Sequence, residues 1–141
     1  IEDRNGNVIA SFTPKTHEIF SEETSYKMIT MLRNVIDHGT GVRVRYRYGL
    51  EMLMGGKTGT TQNNSDGWFM GFTPSLVTGV WVGGEDRAIH FDRISDGQGA
   101  SMALPIWALY MKKVLANPET GYSPMEEFDI PEDFNPNAGC Q

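Results

Sequence analysis

Gly55-Gly56-Lys57-Thr58-Gly59-Thr60-Thr61 decides the fold, because it admits two incompatible backbones. A phosphate-binding loop requires Gly-x-x-x-x-Gly-Lys-Ser/Thr, with a helix opening at the lysine. The first glycine of that pattern would fall at residue 51, which is Glu51, and the following Gln62-Asn63-Asn64-Ser65-Asp66-Gly67 is turn-forming rather than helical. The stretch therefore reads as an extended strand carrying an amine and hydroxyls. Beyond it, 67–73 and 76–83 predict two more strands. Gly67-Trp68-Phe69-Met70-Gly71-Phe72 and Leu76-Val77-Thr78-Gly79-Val80-Trp81-Val82 place large residues on both faces, as in strands covered on two sides. The short Thr73-Pro74-Ser75 link makes them antiparallel neighbours.

Working outward, Asn5-Gly6 between Ile1 and Phe12 predicts a small hairpin. Ser21 is placed to cap a helix with Glu22 and Glu23 in its first turn. Met28, Ile29, Leu32, Val35 and Ile36 form its apolar stripe, Glu23 and Lys27 pair on the wet side, and Gly39 and Gly41 stop it. Val42 to Tyr48 alternates apolar and basic residues, predicting an exposed strand with Arg43, Arg45 and Arg47 on one face, protecting a sheet edge by charge or facing an anion. Residues 85–99 read as a polar surface loop that leaves Asp92 and Asp96 solvated. Ala103, Trp107, Tyr110 and Val114 recur at helical spacing, with Pro105 near the start and Asn117-Pro118 as the stop. The expected class is α+β, an antiparallel β-sheet with packed helices over 1–116, followed by an acidic, Pro-containing tail over 117–141.

Composition narrows the partners. The chain of 141 residues carries 12 Lys+Arg against 18 Asp+Glu, a net charge of −6. All of that excess lies after Lys113, in Glu119, Glu126, Glu127, Asp129, Glu132 and Asp133. A nucleic-acid partner, which needs a basic surface, is disfavoured. Apolar residues nowhere run long enough for a membrane helix, so no membrane contact by this segment is expected. His17, His38 and His90 are isolated and Cys140 stands alone, so neither a metal site nor any other cofactor is expected. With no initiator Met, the chain reads as a soluble piece of something longer.

The run Gly56-Lys57-Thr58-Gly59-Thr60-Thr61, then Asp66-Gly67-Trp68-Phe69-Met70-Gly71-Phe72-Thr73-Pro74, then Val77-Thr78-Gly79-Val80-Trp81-Val82-Gly83 resembles the closing strands of the transpeptidase domain of class A penicillin-binding proteins, the bifunctional peptidoglycan synthases. Upstream, Ile1 to Ile9, Ser21 to Met28 and Gly39-Thr40-Gly41 resemble the same family, as does Gly99 to Trp107 downstream. The resemblance covers about residues 1–116 in order, and it implies the C-terminal half of that domain in a penicillin-binding/β-lactamase-like fold. Gly67 departs from it, where alanine is expected.

The resemblance implies roles residue by residue. Lys57 is the catalytic lysine, beside a nucleophilic serine and a second serine of the full domain. Thr58, Gly59 and Thr60 are substrate-binding: the two hydroxyls hold the carboxylate of a D-Ala-D-Ala stem peptide or of a β-lactam, and Gly59 leaves room for the peptide. The backbone N–H of Thr60 is half of an oxyanion hole. Trp68, Phe69, Trp81 and Trp107 are expected in the core. The family's Ser-x-x-Lys and Ser-x-Asn are absent: none of the eight serines has Lys three or Asn two positions later. Truncation is the expected cause, so the chain alone is expected to be inactive. A membrane anchor, a glycosyltransferase domain and an extracytoplasmic place in the bacterial envelope are implied for the parent. Apolar faces bared by truncation predict self-association. The alternative is a catalytically inert module that binds cell-wall peptide or regulates.

Overall fold

The structure, a computed structural model, describes residues 1–15, 17–132, 134 and 135. Asp133, Pro136 and Cys140 of the sequence reading lie outside the described residues. The predicted hairpin is a single antiparallel bridge, Glu2 to Val8, closed by the Asp3 carboxylate, which accepts from the backbone N–H groups of Asn5 and Asn7 and from Asn7 Nδ2.

Helix α1 runs Glu22–Asp37, and Ser21 caps it by accepting the Thr24 N–H at 3.2 Å. Glu23 and Lys27 pair at 2.7 Å as their spacing predicts. The N–H groups of Gly39 and Gly41 both donate to Val35 O, folding the chain tightly against the last turn. A Cβ on Gly39 would stand 2.9 Å from Val35 Cα, and one on Gly41 2.7 Å from Ile36 Cδ1. Those contacts explain both glycines. Ile36 is fully buried, whereas Met28 of the predicted stripe is exposed.

The strand predicted over 42–48 is instead the helical turn α2, Arg43–Tyr46. Val44 N–H donates to Gly41 O and Arg45 N–H to Val42 O, and Val44 is buried completely. Alternation of period two over so few residues is also satisfied by one helical turn that buries a single valine. The arginines therefore diverge. Arg43 donates to Ala100 O and Ser101 Oγ. Arg45 pairs with Asp37 at 2.7 Å and donates to Leu50 O and Met52 O.

Among the described residues the sheet has three strands in the order β1 (Gly55–Thr60), β2 (Asp66–Phe72), β3 (Val77–Gly83), all antiparallel. Asn63 and Asn64 take positive φ in the β1–β2 turn, a conformation asparagine tolerates better than most residues. One sheet face carries Gly56, Thr58, Gly67, Phe69, Gly71, Thr78 and Val80 and is covered by helices. After the four-residue helix α3 (Ile94–Gly97), helix α4 (Gly99–Ala116) lies across this face. Trp107 is its anchor: buried fully, it meets Phe69 edge-on at 5.0 Å and donates its Nε1–H to Thr78 Oγ1 at 2.6 Å. Gly71 lies directly under the Trp107 ring. Ile36 of α1 reaches the same face, 3.2 Å from where a Cβ on Gly56 would stand.

Two expectations are corrected here. The helices cover one face of the sheet, and strand alternation sends Trp68, Met70, Phe72 and Trp81 to the opposite side, where Phe128 meets Phe72 but the tryptophans stay half open. Phe69 and Trp107 are core as expected, but Trp68 and Trp81 are 44% and 47% exposed and lean on each other at 6.5 Å. The second correction concerns α4, which begins at Gly99, so Pro105 is inside it, not near its start. The packed run Ala103, Leu104, Trp107, Ala108 offsets the hydrogen bond that Pro105 cannot donate. After Asn117 the chain returns over the sheet. Glu126 accepts from Ser75 Oγ, Phe128 meets Phe72 at 5.8 Å and Phe134 meets Tyr26 at 4.5 Å.

Candidate active site

The site is built on the outer edge of β1. Thr61 N–H donates to Asp66 O at 3.0 Å, which makes Thr61 and Asp66 a hydrogen-bonded pair. Because such pairs alternate in an antiparallel ladder, Gly59 opposite Trp68 and Lys57 opposite Met70 are also bonded inward. Thr58 and Thr60 then direct their backbone N–H and C=O groups away from β2, toward the unpaired edge.

Side chains follow the same alternation. Lys57 leaves on the open face with Trp68 and Met70, while Thr58 and Thr60 leave on the helix face. They converge only at the edge, where Lys57 curls round the strand so that Nζ donates to Thr58 O at 2.9 Å. The structure thus brings Lys57 against Thr58 and sets Thr60 two residues farther along. Gly59 lies between them; a Cβ there would meet only the Trp68 side chain, its Cβ at 3.2 Å and its Cγ at 3.9 Å.

Each threonine hydroxyl is held from behind. Thr60 Oγ1 accepts the Gly99 N–H at 3.1 Å, so the first residue of α4 is tied to the strand and the helix presents its positive end there. Gly99 packs so closely on Gly59 and Trp68 that a side chain has no room. Thr58 Oγ1 lies 2.8 Å from Thr40 Oγ1. Sequence reasoning did not single out Thr40 as a site residue; its flanking glycines were the available signal.

Beyond the strand end, Asp66 accepts from Thr61 Oγ1, Ser65 Oγ and Trp81 Nε1. The Thr61 hydroxyl, more than the others, holds its carboxyl below the usual range. This anchors the turn that follows Thr60. Cavities occur elsewhere: one of about 500 Å³ is lined by residues such as Phe20, Tyr26 and Ile130, far along α1 from its Gly39 end. The β1 edge is a single wall, rich in donors and open outward. Among the described residues there is no cluster of three or more His, Cys, Asp or Glu able to hold a metal ion.

No protein-family model matches the chain. It is 38% identical over 131 residues to penicillin-binding protein 1A of Aquifex aeolicus, covering 93% of this chain and 16% of the relative. Penicillin-binding protein 1A of Pseudomonas aeruginosa is 40% identical over 102 residues, covering 72% of this chain and 12% of that protein. Penicillin-binding protein 1B of Escherichia coli is 29% identical over 136 residues, 96% of this chain and 15% of that protein. The crystal structure of penicillin-binding protein 1A from Haemophilus influenzae superposes with a TM-score of 0.67 and 26% identity, over 86% of this chain and 20% of that one. The chain therefore spans less than a fifth of the curated relatives cited. Its α+β fold, its strand carrying Lys57-Thr58-Gly59 and these relatives place it in the class A penicillin-binding protein family, as part of the transpeptidase domain.

Proposed function

We propose that the outer edge of β1 is one wall of a serine D,D-transpeptidase site that crosslinks peptidoglycan stem peptides, and that the acyl-accepting serine comes from residues outside these 141. In this reading a serine of the full protein attacks the D-Ala-D-Ala carbonyl, expels D-Ala and forms an ester. An amine of a neighbouring stem peptide then attacks the ester and frees the serine. A β-lactam stops at the first ester. The hydroxyls of Thr58 and Thr60 receive the ligand carboxylate, whose charge also suits the adjacent helix end. Thr60 N–H, directed outward, is half of the oxyanion hole. Lys57 places its ammonium beside the serine and the carboxylate. The parent works on the extracytoplasmic side of the bacterial inner membrane through an anchor and beside a glycosyltransferase domain elsewhere in its chain. Among the described residues no helix is long and apolar enough to cross a membrane.

The observation that supports this best is the convergence of an amine, two hydroxyls and an outward N–H on one unpaired strand edge. The test is covalent labelling of the full-length protein by a fluorescent penicillin. Wild type should label, and Lys57→Ala should lose at least about 100-fold in acylation rate, on the scale of positioned proton-transfer groups. Absence of labelling in the wild type would favour an inert cell-wall-binding or regulatory module.

A further inference from the structure

We infer that Thr40 is a positioning residue for the carboxylate-binding hydroxyl of Thr58, an inference that rests on the function proposed above. Thr58 has one hydroxyl proton. If that proton goes to Thr40, the hydroxyl presents only lone pairs outward and repels a carboxylate. If Thr40 donates instead, Thr58 accepts from behind and gives its own proton to the ligand. The 2.8 Å separation allows both directions, and an arriving anion selects the second. The pair then forms a polarised relay, Thr40 to Thr58 to carboxylate, in which each bond strengthens the next.

The surroundings favour that role. Among the described residues Thr58 is the one hydrogen-bond partner of the Thr40 hydroxyl. Thr40 does not dangle, because Gly39 and Gly41 bond to Val35 O on either side of it and pack on α1 with no room for side chains. The last turn of α1 in turn lies against β1 through Ile36. Both hydroxyls are therefore referenced to the same helix end before any ligand arrives. Thr60 has the corresponding support from the Gly99 N–H, which can only donate. Thr58 alone depends on a partner whose proton can point either way.

The test uses the full-length protein and two probes, benzylpenicillin and its methyl ester, in which the carboxylate is masked. Acylation is measured as separate binding and chemical constants for wild type, Thr40→Val, Thr40→Ser, Thr58→Val and the Thr40→Val/Thr58→Val double variant. Thr40→Val should weaken benzylpenicillin binding about three- to tenfold, the ratio one ordinary hydrogen bond supports. It should leave the ester unchanged, Thr40→Ser should match wild type, and the double variant should be no worse than Thr58→Val. Equal losses for acid and ester, or no loss at all in Thr40→Val while Thr58→Val loses selectivity for the acid, overturn the inference and leave the proposed function standing. A wild type that no penicillin acylates, or a Thr58→Val that treats acid and ester as wild type does, overturns the function and the inference with it.

Discussion

Asp66 shows how much of this site is set by single side chains. Its carboxylate gathers two hydroxyls and an indole N–H at the end of β1, and the lowered carboxyl follows chiefly from the Thr61 hydroxyl. A carboxyl whose native value is depressed stabilises the fold above its unfolded value of 3.8 and loses that contribution as pH falls through the lower native value. Asp66→Asn should therefore flatten the acid limb of the stability curve below about pH 4. Urea midpoints taken across that range check it; a limb as steep as wild type counts against the assignment. The strand placement of Lys57, Thr58 and Thr60 was legible in the sequence because residues so close in the chain carry their spacing with them. Thr40 was not, since its partner is 18 positions away and only the fold joins them. Arg43, Arg45 and Arg47 misled for the opposite reason: their local pattern fits two backbones, and the partners that choose between them, Asp37 and the carbonyls of Ala100, Leu50 and Met52, lie elsewhere in the chain.

At the scale of elements, the fit of α4 onto β2 depends on what is missing from the strand. Gly67 and Gly71 alternate with Phe69 on the helix face, and the Trp107 ring fills the space over Gly71. Gly71→Ala should cost about 1–3 kcal/mol through overpacking against an indole that cannot swing away. Denaturant unfolding of the protein measures this, and an unchanged midpoint would show that the ring has room. Alanine at Gly67 meets a more forgiving neighbour, the Met102 methyl at 2.6 Å, although Gly99 Cα is also near at 3.2 Å. Strands β2 and β3 were readable from apolar runs joined by a short link, and both long helices from their period. The true start of α4 was not, because Pro105 is a conventional helix opener and only burial of the surrounding apolar run carries the helix past it.

For the molecule as a whole, the helices occupy one side of the sheet and leave Trp68, Met70 and Trp81 outward on the other. Composition counts apolar residues without saying which face they share, so the sequence reading covered both. The outer edges of β1 and β3 are also unpaired within this sheet. The isolated chain should therefore associate with itself as concentration rises, and Trp68→Ser/Trp81→Ser should shift that association to higher concentration. Light scattering across a dilution series tests both; a monomer throughout refutes them. The same Ile36 Cδ1 lies 2.7 Å and 3.2 Å from the places where a Cβ on Gly41 and on Gly56 would stand. One aliphatic carbon is thus the shared bearing on which the Thr40 turn and the Lys57 strand both rest. Under the proposed function, shaving it off would let the two slide independently and blur the grip on the ligand carboxylate without touching any group that meets it.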